Sequence, residues 1–251
     1  MRKILVFALF AMSFFAVATF SSDHLTEALN IEAPVDDSKL LFVSDTPLIK
    51  KKNPVHRVVN STVALKFIFS DGAMTVGTGV VADTKEGPVI ITAKHVAMTA
   101  WPMPLLACSI TTFDCENLGS KFVLQTEDPT SSVLGSDWVV YKPKSLPKGI
   151  DPITLSKKDV DLGDELWFVG MPYGRGPWIS KGNVAWKWKT GSGEMIAATG
   201  FAAPGFSGGP VANKHGELIG ITVAIVMNPK GEPQVNQILV VPLRNLWILN
   251  P

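Results

Sequence analysis

From Ser61 onward the chain is a succession of short apolar runs, each closed by turn-forming residues. That pattern restricts the fold more than any other feature. Ser61 to Phe69 (STVALKFIF) is rich in branched and aromatic residues and ends at Ser70-Asp71-Gly72. Thr75 to Ala82 (TVGTGVVA) ends near Lys85-Glu86-Gly87, and Pro88 to Thr92 (PVIIT) follows. Further strands are expected at 120–125, 137–142, 165–170, 178–189, 194–199, 209–213, 217–226 and 236–242. Evenly spaced runs of this length point to a β-barrel or sandwich. Only Leu243 to Leu249 looks like a short helix. Residues 143–156 (PKSLPKGIDPITLS) hold three prolines and a glycine, and suit a crossover between an N-terminal and a C-terminal β-unit. With 251 residues, 46% hydrophobic and 18% charged, the chain can bury the core this requires.

The ends of the chain speak to compartment. Residues 1–18 place Arg2 and Lys3 before an apolar run that closes on Ala16-Val17-Ala18, the layout of an export signal cleaved after Ala18. An uncleaved anchor is the alternative, but the run is short for a membrane span. No other stretch could cross a bilayer, so no stable membrane insertion is expected after cleavage. Residues 19–56 are mixed and polar, with Pro34, Pro47, Pro54 and Lys50-Lys51-Lys52, and read as an extended arm or pro-segment. The net charge is +1, and removal of the leader's two cations leaves 21 basic against 22 acidic residues. A near-neutral chain gives no reason to expect a nucleic-acid partner. The two cysteines, Cys108 and Cys115, are expected to form a disulfide closing a small loop in an oxidising compartment. A metal site would need more ligands nearby. Asn60-Ser61-Thr62 matches a glycosylation sequon, and its plainer reading is a polar strand start.

The chemistry is carried by Gly205-Phe206-Ser207-Gly208-Gly209-Pro210. A serine hydroxyl becomes a nucleophile only when a base takes its proton, and the oxyanion it generates needs backbone N–H donors. Glycines let the chain turn tightly enough for the N–H groups of Gly205 and Ser207 to converge. His95 lies just past an apolar strand, and Asp137 heads another. Each alone is more often structural than catalytic. Together they give the order histidine, acid, serine, with gaps of 137 − 95 = 42 and 207 − 137 = 70 residues. An α/β-hydrolase would need its acid and histidine after the serine. The 251 − 207 = 44 residues after Ser207 contain His215 and no aspartate, and the chain lacks alternating helices.

These stretches resemble the trypsin-like, chymotrypsin-fold serine proteases. Thr92-Ala93-Lys94-His95 is similar to their histidine motif, Asp137-Trp138-Val139-Val140 to their acid-bearing strand, and Gly205 to Pro210 to their nucleophile loop. Gly77-Thr78-Gly79-Val80-Val81, Val169-Gly170-Met171-Pro172-Tyr173-Gly174, Lys181-Gly182-Asn183-Val184, Leu218-Ile219-Gly220-Ile221-Thr222 and Val240-Val241-Pro242-Leu243 resemble the HtrA-type bacterial branch, across about residues 57–249. The resemblance implies an all-β fold of two six-stranded antiparallel barrels. Residues 57–145 would carry His95 and Asp137, and residues 146–251 Ser207, with a short C-terminal helix. It implies a secreted or periplasmic endopeptidase acting on polypeptides without cofactor. Ser207 would be the nucleophile, His95 the base and Asp137 its orienting acid, with Gly205 and Ser207 forming the oxyanion hole. The primary pocket would have Phe201 at its base and Thr222, Val223 and Ala224 in its walls, favouring small or medium apolar residues. No PDZ domain is expected after the protease unit, and a homo-oligomer is compatible with the sequence. Phe206 departs from the family. Digestive-type members carry there an aspartate that pairs with a new N-terminus, and HtrA-type members usually carry asparagine. Trp138 is bulkier than the small residue usual after the acid. A catalytically impaired trypsin-fold chain serving as a binding module is the second reading.

Overall fold

The computed structural model describes residues 53–68, 74–99, 105–111, 115–119, 136–174, 177–191, 193–227 and 233–246. The chain divides into two units, Met1–Thr46 and Pro47–Pro251, and every described residue lies in the second. The residues read as an export leader, and nearly all of those read as an arm, therefore fall outside the described residues, as does the strand expected at 120–125.

Twelve strands carry the described fold: β1 (Thr62–Ile68), β2 (Met74–Ala82), β3 (Val89–Thr92), β4 (Leu105–Ser109), β5 (Cys115–Gly119), β6 (Val139–Tyr141), β7 (Glu165–Gly170), β8 (Trp178–Thr190), β9 (Gly193–Ala198), β10 (Pro210–Asn213), β11 (Leu218–Met227) and β12 (Pro233–Pro242). The first six form one antiparallel sheet in the order β5-β4-β1-β2-β3-β6. The other six close into a barrel in the order β10-β11-β12-β9-β8-β7. The all-β, chymotrypsin-like fold expected from the sequence is thus present. One refinement applies: among the described residues the N-terminal sheet is a half-barrel, not a closed one. Residues 243–245 form a single 3-10 turn where a longer helix was expected, and the remainder of that segment is not described.

Two short helices escaped the sequence reading. In α1 (Pro54–Asn60), the Asn53 side chain accepts the Val55 N–H at 3.0 Å and proline occupies the first turn. Val55, Val58 and Val59 then bury one face at helical spacing. Residues 54–56, read as the end of the arm, thus belong to the folded unit. Helix α2 (Lys94–Thr99) follows β3. Ser61 and Thr62 are fully buried and their hydroxyls donate to Val58 O, so the sequon serves the strand start.

The apolar runs became strands for two different reasons. β3 is buried along its whole length, as a central strand should be. β8 alternates, turning Ser180, Gly182 and Val184 inward and Lys181 and Asn183 outward. The 143–156 crossover bonds to each sheet within a few residues. Ile153 pairs with Val81 and Asp83 of the first, and Thr154 and Ser156 bond Leu218 of the second. One buried cluster runs from Leu65, Ile90 and Val140 through Val169, Met171, Ile221 and Val241. The interface between the two sheets is therefore apolar and continuous with the first core. A second cluster fills the closed barrel, with Leu166, Phe168, Phe206, Ile238 and Val240 among its members.

Cys108 and Cys115 are bonded and face each other across the β4–β5 hairpin, with Cα atoms 4.0 Å apart. Closing so small a loop stabilises the fold by about 2–3 kcal/mol in the chain-entropy treatment. Cys108→Ser is expected to lower the urea-unfolding free energy by that amount. An unchanged midpoint in oxidising buffer would show the bond to be without consequence.

Candidate active site

The site is assembled by strand register. Ile91 faces Val140 and Thr92 faces Val139 in the β3–β6 pair. Extending that register by two residues sets Asp137 across from Lys94, beside His95. The Asp137 carboxylate holds His95 twice: the His95 backbone N–H donates to Oδ1 at 2.9 Å, and Nδ1 lies 2.7 Å from Oδ2. The acid is mostly covered, at 16% side-chain exposure against 47% for the histidine. Desolvation of the imidazole works against its charge. The hydrogen bond and negative charge of Asp137 together outweigh that, and the His95 pKa lies above its ordinary value. With Nδ1 committed to the carboxylate, Nε2 is left as the basic nitrogen.

Ser207 comes from the second barrel, in the connection between β9 and β10. Thr78 on β2 reaches across to hold that connection. Its backbone N–H donates to Ser207 O at 3.0 Å, and its hydroxyl donates to Gly205 O at 2.5 Å while accepting the Met171 N–H at 3.1 Å. The Thr92 hydroxyl in turn donates to Thr78 O at 2.7 Å. A chain of bonds thus runs from the strand that delivers His95 to the loop that carries Ser207. Contact is close as well. A β-carbon on Gly208 would lie 2.1 Å from Thr92 Oγ1 and 2.8 Å from Ala93 N, and Gly208 has φ +83°. Only glycine permits that approach and that backbone. Ala93 is two residues before His95, so the loop that carries Ser207 sits against the histidine stretch.

Within the loop, three N–H groups are consumed. Phe206 N–H donates to Ala203 O, Gly208 N–H to Thr222 O and Gly209 N–H to Phe206 O, at 3.0, 2.7 and 2.8 Å. The N–H groups of Gly205, at φ +104°, and of Ser207 donate to no acceptor among the described residues. These are the two expected to form the oxyanion hole. The structure therefore brings His95, Asp137, Gly205 and Ser207 into one region at the junction of the two sheets.

The proposed pocket residues separate. Thr222 and Val223 are buried and Ala224 half-buried on β11, which bonds to Gly208 and Gly209. The Thr222 Oγ1 is buried without a partner. Phe201 stands at the surface with 42% exposure, its ring 5.1 Å from Trp178. The ring enclosed beneath the loop is that of Phe206, at 1% exposure. Sequence reasoning quoted Thr78 and Thr92 only as parts of motifs and missed their bridging role. The one available signal was a threonine between two glycines on a strand, Gly77-Thr78-Gly79.

The profile of the trypsin-like peptidase domain family matches residues 77–221 of this chain. Escherichia coli periplasmic serine endoprotease DegP is 27% identical over 159 residues, 61% of this chain and 31% of DegP. Arabidopsis thaliana Protease Do-like 1, chloroplastic, is 26% identical over 242 residues, 87% of this chain and 52% of that protein. The chain thus spans about half the length, or less, of these curated relatives. Among solved structures, an HtrA-type protease AlgW with tripeptide superposes with a TM-score of 0.59 at 22% identity, over 76% of this chain and 59% of that one. The serine endoprotease from Yersinia pestis gives 0.59 at 20% identity, over 78% and 63%. These likenesses support the fold described above.

Proposed function

The chain belongs to the trypsin-like peptidase family, and from that premise we propose that it is an exported serine endopeptidase working through Ser207, His95 and Asp137. The observation that carries this reading is the doubly held His95–Asp137 pair with the Ser207 loop seated against Thr92 and Ala93. In the proposed reaction, Ser207 Oγ attacks the scissile carbonyl carbon and His95 Nε2 takes its proton. Asp137 keeps the ring oriented and stabilises the imidazolium. The carbonyl oxygen, now an oxyanion, is bound by the Gly205 and Ser207 N–H groups. His95 then returns the proton to the leaving amine, and water releases the acyl group by the same steps in reverse. Nothing in this sequence needs a metal or an organic cofactor. Export to a periplasmic or extracellular space is supported by the leader at 1–18, by the disulfide, and by the relative named as periplasmic. Among the described residues no helix is long and apolar enough to cross a membrane.

Polypeptides are the proposed substrates. Thr222, Val223 and Ala224 on β11, the strand that bonds Gly208 and Gly209, are uncharged, and we propose that this strand meets the residue before the cut bond, with Phe201 left at the surface. A buried lysine or arginine would lose several kcal/mol of solvation there, on the order expected for an unpaired ion. Each apolar methylene would add about 0.8 kcal/mol until the space is filled. A peptide-library profile is expected to favour Ala, Val or Leu with modest discrimination; a dominant preference for Lys, Arg, Asp or Glu would overturn the pocket assignment. The function itself is tested by a fluorophosphonate probe on the purified protein. Stoichiometric labelling at Ser207 is the expected result. Absence of labelling in folded protein would favour a binding module instead.

A further inference from the structure

Catalysis by this site needs two backbone N–H groups held outward in Phe201-Ala202-Ala203-Pro204-Gly205-Phe206-Ser207, a stretch whose backbone carbonyls are bonded by Thr78 and Tyr173 but which has few side chains large enough to pack. Phe206 lies between the two donors, and it is the one large side chain of the stretch that is fully enclosed. Its ring lies over Gly170 at the end of β7, where a β-carbon would meet the ring at 2.5 Å. It shares a buried apolar cluster with Leu166, Phe168 and Ile238. Phe201 closes it from outside, edge-on at 5.8 Å and 81°. Its backbone is committed too, the N–H to Ala203 O and the carbonyl to the Gly209 N–H. Turning the Ser207 N–H away would require the ring to leave its notch or the Phe206 carbonyl to leave the Gly209 N–H, and turning the Gly205 N–H away would also break the 2.8 Å bond from the Tyr173 N–H to Pro204 O.

We propose that the buried Phe206 ring, seated over Gly170, is the positioning element of the oxyanion loop: apolar packing, without an ion pair, keeps the Gly205 and Ser207 N–H groups available. The proposal rests on the reading of Ser207 as nucleophile. The notch is empty because residue 170 is glycine, and the fit is therefore a property of two positions, 170 and 206.

Phe206→Ala, Phe206→Leu and Gly170→Ala in the full chain test it, assayed well below each variant's unfolding midpoint. The substrate is the best peptide anilide from the library profile. A peptide aldehyde of the same sequence probes the oxyanion geometry, since its hemiacetal oxygen occupies that place. Phe206→Ala is expected to lower kcat by about 10²-fold with KM within about threefold, and to weaken the aldehyde in parallel. Phe206→Leu, which keeps apolar bulk, should recover to within about tenfold of wild type. Gly170→Ala, whose added methyl would meet the Phe206 ring first, should lower kcat and aldehyde affinity in the same sense. Folded Phe206→Ala with wild-type kcat and aldehyde affinity, or with a raised KM alone, overturns the proposal. If Phe206→Ala does not fold, wild-type values for both other variants overturn it. Wild-type protein that fails to react with fluorophosphonate would overturn the peptidase reading, and this inference with it. An active wild type with unresponsive variants sinks this inference alone.

Discussion

Ser207→Ala is expected to lower kcat for peptide hydrolysis by on the order of 10⁶-fold and to leave the thermal midpoint within about 2 °C. The two halves of that expectation have separate causes. The loop is held through backbone groups: Ser207 O accepts the Thr78 N–H, and the flanking residues bond Thr222 and Ala203. Alanine keeps every one of those bonds. What it removes is the hydroxyl oxygen proposed to form the acyl bond. The outward N–H groups of Gly205 and Ser207 remain, so a residual rate above that of water alone is expected. His95→Ala should cost nearly as much, and the double variant little more, because nucleophile and base act as one unit. Labelled casein and a fluorophosphonate probe read the two activities. Cleavage of casein by Ser207→Ala at the wild-type rate would remove Ser207 from the mechanism.

The second large effect is expected from Asp137→Asn. The amide can occupy the same space, but it no longer carries the charge that holds a proton on Nδ1. A drop in kcat/KM of about 10⁴-fold is the scale seen when such an acid is neutralised in this type of triad. The pH dependence sharpens the test. Catalysis needs neutral His95, so kcat/KM rises with pH through the histidine's pKa. In the native site that pKa is raised, with Asp137 outweighing the opposing desolvation. Removing the acid removes both upward influences and leaves desolvation, which disfavours the charged ring. The acid limb should therefore move to lower pH as its height falls. A limb that stays in place would show that Asp137 does not set the state of His95.

The order His95, Asp137, Ser207 could be picked out of the sequence only in combination, because each residue alone is more often structural and the three local motifs together carry the signal. The register that joins the first two was nearly legible as well, since β3 and β6 are short apolar runs with a polar residue just past one end. Fold class followed from the spacing of such runs, because period and turn chemistry are local properties of a chain. Helix α2, with 6 residues, was not legible, being too short to show a helical period. The strand β4 was hidden by the prolines before it, Pro102 and Pro104.

What the sequence determined by itself is therefore most of the strands, β4 and β5 excepted, and the residue types of the candidate site. Three things were decided only in the folded molecule. Thr78 joins the halves of the site through a bond spanning 127 residues, and no periodicity records a contact that long. Phe206, and not Phe201, became the enclosed ring, because the space that receives it is made by an absent side chain 206 − 170 = 36 positions upstream, at Gly170. Gly208 could approach Thr92 and Ala93 only once both sheets had closed on their shared apolar interface. In each case the physical reason is the same. Local chemistry selects a residue's backbone state, whereas which surfaces meet is set by the packing of distant strands around a common core.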